Sequence, residues 1–524
     1  NPNGYDISSL YMDDGYLFFN VSPQEVSVHN DTIDLDIHMY EGKQATINKV
    51  TVMGNTKTND HVIYREIRTR PGQLFRRSDI IRTQRELSQL GYFDPEKLGV
   101  TPTPNPADGT VDIEYKVEEK PSDQIELSGG WGGGRVVGTL GLSFNNFSMR
   151  NIFKRESWSP LPTGDGQKFS IRAQTNGIFY QSYNMSFTEP WLGGKKPNSL
   201  SVSAFYSMFN TSGAKKYIND TEGNKILNPD RSTMKIIGTS VGFGKRLKKP
   251  DDFFSMYAEA SYNYYELQNY PYFILANGYA NDFNCKINIT RNSIDAPIFP
   301  KNGSNFSLLG QFTPPYSLLN GKDYTSLTLS EKYKFIEYQK YKFTAEWYTQ
   351  LTNKKAGEGK EARNLVLRTK IGYGILGMYN KNVGVSPFER YYMGGSGLSG
   401  FQNFVAREII ALRGYSDNSL SSSNGDPIAA RYTMELRYPI SLNPQATIFV
   451  LGFAEAGNTW ARYKDFNPFQ VKRSAGFGLR VFLPMFGLLG LDYGWGFDNI
   501  PGNPSSGNGK GQFHFTLGAQ LGEL

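Results

Sequence analysis

From Gln124 onward, apolar and polar residues alternate with period two. In Ser199 to Phe209, Leu200, Val202, Ala204, Tyr206 and Met208 alternate with Ser201, Ser203, Phe205 and Ser207. In Lys342 to Leu351, Phe343, Ala345, Trp347, Thr349 and Leu351 alternate with Lys342, Thr344, Glu346, Tyr348 and Gln350. Leu365, Leu367, Thr369, Ile371 and Tyr373 alternate with Val366, Arg368, Lys370, Gly372 and Gly374. Period two puts the two sets on opposite faces of a strand, one apolar and one often charged. These runs extend for ~10 residues, the span of a tilted strand crossing a bilayer, where globular strands peak at ~5–6. Residues 124–524 number 401 (524 − 124 + 1), room for ~16 strands at ~25 residues per strand and connection. In lipid such a sheet has to close, because an open edge leaves backbone groups without partners.

The first ~120 residues follow another pattern. "DISSLYMDDGYLFFNVSPQEVSVHNDTIDLDIHMYEGKQ" and "RTQRELSQLGYFDPEKLGVTPTPNPADGTVDIEYKVEEKP" each read as a helix ending at Gly-Tyr, a strand, a turn and an acidic alternating strand. Gly15 aligns with Gly91, and Ile33–Ile37 with Val111–Tyr115, so the segment is an internal repeat. The second copy also has a strand over Ile47–Met53 and a helix capped near Thr58 or Asn59. Its predicted order is strand, helix, helix, strand, strand. The first copy lacks the opening strand and helix, so the sequence reads as starting inside a module.

Composition sharpens the class. Hydrophobic residues are 39% and mean hydropathy is −0.47, and no apolar run is long enough for a membrane-spanning helix. Yet there are 33 Tyr, 35 Phe and 55 Gly, the residues of turns and interfacial girdles in a barrel where only alternate residues touch lipid. The net charge of +7 comes without a dense basic block interleaved with aromatics, so it reads as lumen lining or contact with anionic lipid rather than nucleic-acid binding. Lys342, Glu346, Arg368 and Lys370 read as water-facing charges. Cys285 is the single cysteine, and its simplest role is a small buried side chain.

Nothing points to covalent chemistry. The histidines are His29, His38, His61 and His514, no Gly-x-Ser-x-Gly elbow occurs, and Gly129–Gly134 lacks the Lys-Ser/Thr of a phosphate loop. No cluster has metal-ligand spacing. The expectation is a protein that is not an enzyme and needs no cofactor or metal.

Several stretches, in order, resemble the POTRA-barrel superfamily of outer-membrane insertases and secretion pores: "VMGNTKTNDHVIYREI", "YNMSFTEPWLGG", "TRNSIDAPIFPKNGS", "YMGGSG", "LRGY", "FAEAGNTW" and "GFGLRVFLPMFGLLGLDYGWGFD". The resemblance covers essentially the whole chain. It implies a transmembrane antiparallel β-barrel of ~16 strands preceded by periplasmic α+β POTRA modules. The domains are then part of one module over 1–44, a complete module over 45–121, and the barrel over 122–524, with a long inward-folding extracellular loop around 380–430. The implied location is the outer membrane of a Gram-negative bacterium, with the modules in the periplasm.

In that family the loop carries a Val/Ile-Arg-Gly-Phe/Tyr tip, which resemblance assigns to Leu412, Arg413, Gly414 and Tyr415. Gly-Gly-Ser usually lies a few residues before the arginine, whereas Ser396 and Arg413 are 17 apart (413 − 396). Leu398–Phe401 fits the spacing but has serine in place of arginine, so the tip that carries the charge is preferred. A desolvated guanidinium needs an acidic partner, and the family's Phe-x-Asp-x-Gly pattern maps onto Phe453-Ala-Glu455-Ala-Gly457. The expectation is a bidentate Arg413–Glu455 pair, with Glu455→Ala resembling Arg413→Ala.

The family's work is placed at a weak seam between the first and last strands. Here the first strand offers Ile125, Leu127, Gly129 and Gly130, and glycines weaken pairing. The last offers Phe513, Phe515, Leu517 and Gly518, with Phe513, Phe515 and Leu517 outward and His514, Thr516 and Gly518 inward. An opened seam exposes a strand edge to which a client strand can add. The implied function is insertion of client β-barrel proteins, with accessory assembly lipoproteins and outer-membrane lipid and lipopolysaccharide as further partners. The alternative is a two-partner-type pore that exports a polypeptide through the lumen.

Overall fold

A computed structural model describes residues 6–94, 97–120, 123–132, 135–158, 161–271, 275–352, 363–395, 407–443, 446–483, 487–501 and 506–517. The chain forms two compact units. One comprises residues 1–124, 142–170 and 187–196, and the other 125–141, 171–186 and 197–524. The expected boundary at 121/122 therefore misses two later segments that pack with the repeat modules.

In the first unit, helix Ile7–Asp13 and the hairpin Asn20–His29 with Thr32–Tyr40 make the partial module. The complete module has the predicted order. Strand Thr110–Lys116 sits centrally, parallel to Thr46–Met53 and antiparallel to Gly99–Asn105. Helix Arg77–Gln89 buries Ile80, Thr83 and Leu87, the i, i+3, i+7 stripe of an amphipathic helix. With Ile47, Ile63, Phe93 and Ile113 this stripe makes the module core. Gly15 and Gly91 both have positive φ, +95° and +85°, which explains the matching glycines at the two helix-to-strand turns.

The short helix Asp60–Tyr64 starts at Asn59, which caps nothing with its side chain. Asn59 Nδ2 instead donates to Asp165 Oδ1 at 2.9 Å, and Ser148 Oγ donates to Asp165 Oδ2 at 2.7 Å. Asn146 Nδ2 donates to Thr58 Oγ1 at 2.8 Å. Trp191, from the "SFTEPW" stretch, donates Nε1–H to Glu66 at 2.6 Å and lies under the Arg65 guanidinium. Glu119 receives the N–H groups of Lys57 and Thr58 and the Thr56 hydroxyl. Partial burial works against its ionisation, but those donors hold its carboxyl below the usual range. The turn segments are thus bonded to the helix start by buried polar groups. Asp165→Ala is expected to remove the acceptor of the buried Ser148 hydroxyl, at about 1–3 kcal/mol, while the exposed Asn59 amide turns to water. Hydrogen exchange over 57–67 and 146–166 should accelerate while the 77–89 helix stays protected; unchanged exchange would remove Asp165 from this role.

Most of the second unit belongs to one sheet, which has sixteen strands among the described residues, matching the sequence-derived number, with order running from the terminal strand Gly511–Leu517 to the first strand Gln124–Gly132. Its neighbours are sequential hairpins, except that Asn198–Asn210 pairs with Thr233–Arg246 across 211–232, which carries its own short hairpin, and Val366–Gly377 pairs with Ile428–Asn443 across the long 378–427 segment. Alternation survives as burial. On Ala446–Trp460 the residues 449, 451, 453, 455 and 457 are buried while Val450, Gly452 and Ala454 are exposed. Register extends an outward row through Leu436, Gly452, Phe477, Tyr493 and Phe513. Cys285 corrects the sequence reading: it is exposed, on the outward face with Phe283 and Ile287. Its place in an apolar row, not in a core, explains why a small weakly polar side chain stands there.

Candidate functional site

The 378–427 loop builds the site, and it has more order than period-two reading detects. Arg390–Met393 and Arg407–Ile410 form a short parallel ladder. Arg390 clamps its own turn through the carbonyls of Ser386 and Val385 at 2.8 and 2.9 Å. The buried Lys340 pairs with Glu389 at 2.8 Å and Glu408 at 2.6 Å, and Lys342 also pairs with Glu408. Of the charges read as water-facing, Lys342 and the mutually paired Glu346 and Arg368 therefore belong to ion-pair networks. The loop carries Phe388, Tyr391, Ile410, Leu412, Tyr415 and Leu420 into one apolar core with Phe209, Met234 and Tyr265 from strand ends.

At the tip Arg413 is fully buried. Its Nη2 donates to Glu455 Oε1 and to Glu435 Oε1, both at 2.7 Å, and its Nη1 to Asp492 Oδ1 at 3.3 Å. Glu455 Oε2 is taken by the backbone N–H of Arg413 at 2.9 Å. The expected fork between the two side chains is corrected to one side-chain and one backbone bond, because the guanidinium is spread over three strands. The Arg413 guanidinium also stacks 3.7 Å from the Phe453 ring centroid, a cation–π contact strengthened by desolvation. Each carboxylate has a second arginine: Glu455 holds Arg431, Glu435 holds Arg437 and Arg368, and Asp492 holds Arg480. Alternating charges of this kind offset the cost of one another's desolvation, the condition for ions to persist in a dry site.

Glycines make the space. Gly476 and Gly494 are paired in register beside Phe453 on the inner wall, and Gly496 lies opposite Ser474. With no side chains projecting there, Gly414 lies directly on the strand backbone; a Cβ on it would be 2.7 Å from the Trp495 carbonyl carbon. Gly414 has φ +88°. Its N–H donates to His514 Nε2 on the terminal strand at 3.0 Å. Tyr415 Oη donates to the Arg473 carbonyl at 2.7 Å and accepts from the Asp498 N–H at 3.2 Å. The Leu412 N–H donates to the Gly395 carbonyl at 3.1 Å, and the Leu412 side chain is fully buried.

The remaining predicted residues fall at the two ends of the sheet. Ile125, Leu127, Gly129 and Gly130 lie on the first strand. Phe513, Phe515 and Leu517 lie on the terminal strand, with Phe513 and Phe515 exposed and His514 and Thr516 buried. Gly518, Ser396 and the 398–401 alternative tip lie outside the described residues. Sequence reading missed Glu435, Asp492 and His514 as tip partners. Glu435 stands between outward Met434 and Leu436, and Asp492 between outward Leu491 and Tyr493, so a lone acid on the inward phase of an apolar alternation was the available signal.

These features define a transmembrane β-barrel with repeat modules at its N-terminal side and an arginine loop folded into its wall. The Omp85 superfamily domain matches residues 163–521, and the POTRA model, described as surface antigen variable number repeat, matches 45–120. The chain belongs to the Omp85 superfamily. It is similar to the outer membrane protein assembly factor BamA of Neisseria meningitidis, 23% identical over 85% of this chain and 51% of that protein. It is also similar to BamA of Nitratidesulfovibrio vulgaris, 24% identical over 98% of this chain and 56% of that one. The chain spans about half the length of these relatives. A solved structure of Haemophilus ducreyi BamA lacking POTRA domains 1–3 matches with TM-score 0.55 at 20% identity, covering 97% of this chain and 91% of that one. CdiB from Escherichia coli matches with TM-score 0.55 at 11% identity, covering 98% and 81%. The barrel lies in the outer membrane and the modules are periplasmic.

Proposed function

We propose that this chain is the membrane core of a β-barrel assembly machinery, which folds and inserts unfolded outer-membrane proteins through the seam between its first and last strands. One observation carries the reading. The arginine tip is fastened across the last strands while loop side chains pack into a continuous apolar core beside it, so the strand edges are a better substrate route than the lumen. A client strand added at an edge satisfies its backbone N–H and C=O groups by β-augmentation. The work then draws on the client's own downhill folding and needs no covalent step, cofactor or metal. Similarity to assembly factors over most of the chain supports the same reading. Accessory assembly lipoproteins and outer-membrane lipid and lipopolysaccharide complete the proposed partners.

The rival reading is export of a polypeptide through the lumen, which requires the loop core to leave. Reconstitution in liposomes separates the two. The expected result is that an unfolded porin becomes protease-protected and heat-resistant faster than with empty liposomes, at low conductance. No acceleration together with a large steady conductance would replace this reading with the secretion pore.

A further inference from the structure

The terminal strand is one end of the sheet, and the loop tip reaches it through a histidine. Gly414 N–H donates to His514 Nε2 at 3.0 Å, so Nε2 is an acceptor and the imidazole is neutral, with its proton on Nδ1. The ring is buried and sits opposite Asp492 in the ladder. Asp492 in turn accepts from Arg413 of the tip and from Arg480 on Lys472–Leu483. The charged groups acting on the ring are Asp492 on Gly487–Gly496, Asp417 and Arg413 on the loop, and Glu455 on Ala446–Trp460. None of them replaces Nε2, because Gly414 lies flat against Trp495 and Gly496 and its N–H is aimed at the ring.

We propose that His514 is a positioning residue that couples the loop tip to the terminal strand, so that tip release and displacement of that strand at the seam are one event. The proposal rests on the seam reading above. Protonation of Nε2 turns the acceptor into a donor facing another donor. The bond is therefore present while the imidazole is neutral and is lost as pH falls through its titration. A glutamine in the same place offers an acceptor that does not titrate, and a leucine offers none.

The test is hydrogen exchange of the full chain in lipid nanodiscs, corrected for intrinsic rates, reading segments 411–416 and 511–517 between about pH 8 and about pH 5, the range over which histidine titrates. For the parent, protection of both segments should fall together toward acid. His514→Leu should lose protection in both at neutral pH, by about tenfold for one lost buried hydrogen bond. His514→Gln should keep protection in both at either pH. Three results would each overturn the proposal: His514→Leu protected like the parent at neutral pH, acid sensitivity retained in His514→Gln, or release of 411–416 with 511–517 unchanged. If His514→Leu does not fold, the parent and the glutamine variant still decide through their pH profiles. No client is present, so a failed insertion assay would remove the seam function without touching this result.

Discussion

Arg413→Ala is expected to lower the urea midpoint of the barrel and open the 378–427 loop to protease. The arginine is fully buried and holds three carboxylates, on the strands carrying Glu435, Glu455 and Asp492. Removing one member of a buried ion network typically costs ~3–5 kcal/mol, because the remaining charges stay desolvated. Here each acid keeps a second arginine, which places the expected loss near ~3 kcal/mol, the lower end of that range. Arg413→Lys should recover only part of it, since an ammonium cannot spread planar donors over three acceptors. Glu455→Ala should be milder than Arg413→Ala, contrary to what a single pair implies, because Arg413 retains Glu435 and Asp492. Equal midpoints for Arg413→Ala and the parent would show that the network does not hold the loop.

Gly414→Ala is expected to undock the same loop while leaving every charge in place. Gly414 has φ +88°, and a Cβ would meet the Trp495 carbonyl carbon at 2.7 Å and the Gly496 nitrogen at 2.9 Å. Both obstacles are backbone, so no rotamer change relieves them. Strain and overpacking each cost about 1–3 kcal/mol, and together they rival the loss of the arginine. Gly384→Ala is the control. Its φ is +82° and a Cβ there meets nothing within 4 Å, so it reports the backbone penalty without the close approach. Protease sensitivity of the loop should rise strongly for Gly414→Ala and little for Gly384→Ala. Matching behaviour would mean that contact with the strand backbone does not position the tip.

How legible these features were in the sequence follows from what each one rests on. The sheet was legible because period two marks the inward and outward faces of a strand directly, and residues such as Phe343, Trp347, Phe513 and Phe515 are exposed where alternation placed them. The module was legible because its helices and strands repeat. Arg413 and Glu455 were found through motif resemblance, since a charge in an apolar tip demands a partner. Asp492 and Glu435 were not found, because no motif marks them and their approach to Arg413 depends on how the loop tip lies across the paired strands. The alternate glycines Gly476, Gly478, Gly494 and Gly496 carried a readable signal, a stretch of inner wall without side chains. The loop core was not legible, because an irregular segment has no period to read. The union of 142–170 and 187–196 with the modules was equally hidden, since it depends on single polar groups such as Asp165 and Trp191.

The central claim, that clients enter through the seam, is tested most directly by closing it. A cysteine pair joining the first strand to the terminal strand, in a background with Cys285 replaced, would be reconstituted in liposomes and offered an unfolded porin. The account predicts that insertion falls to the rate of empty liposomes when the pair is oxidised and returns on reduction. Insertion that continues undiminished through a locked seam would contradict it.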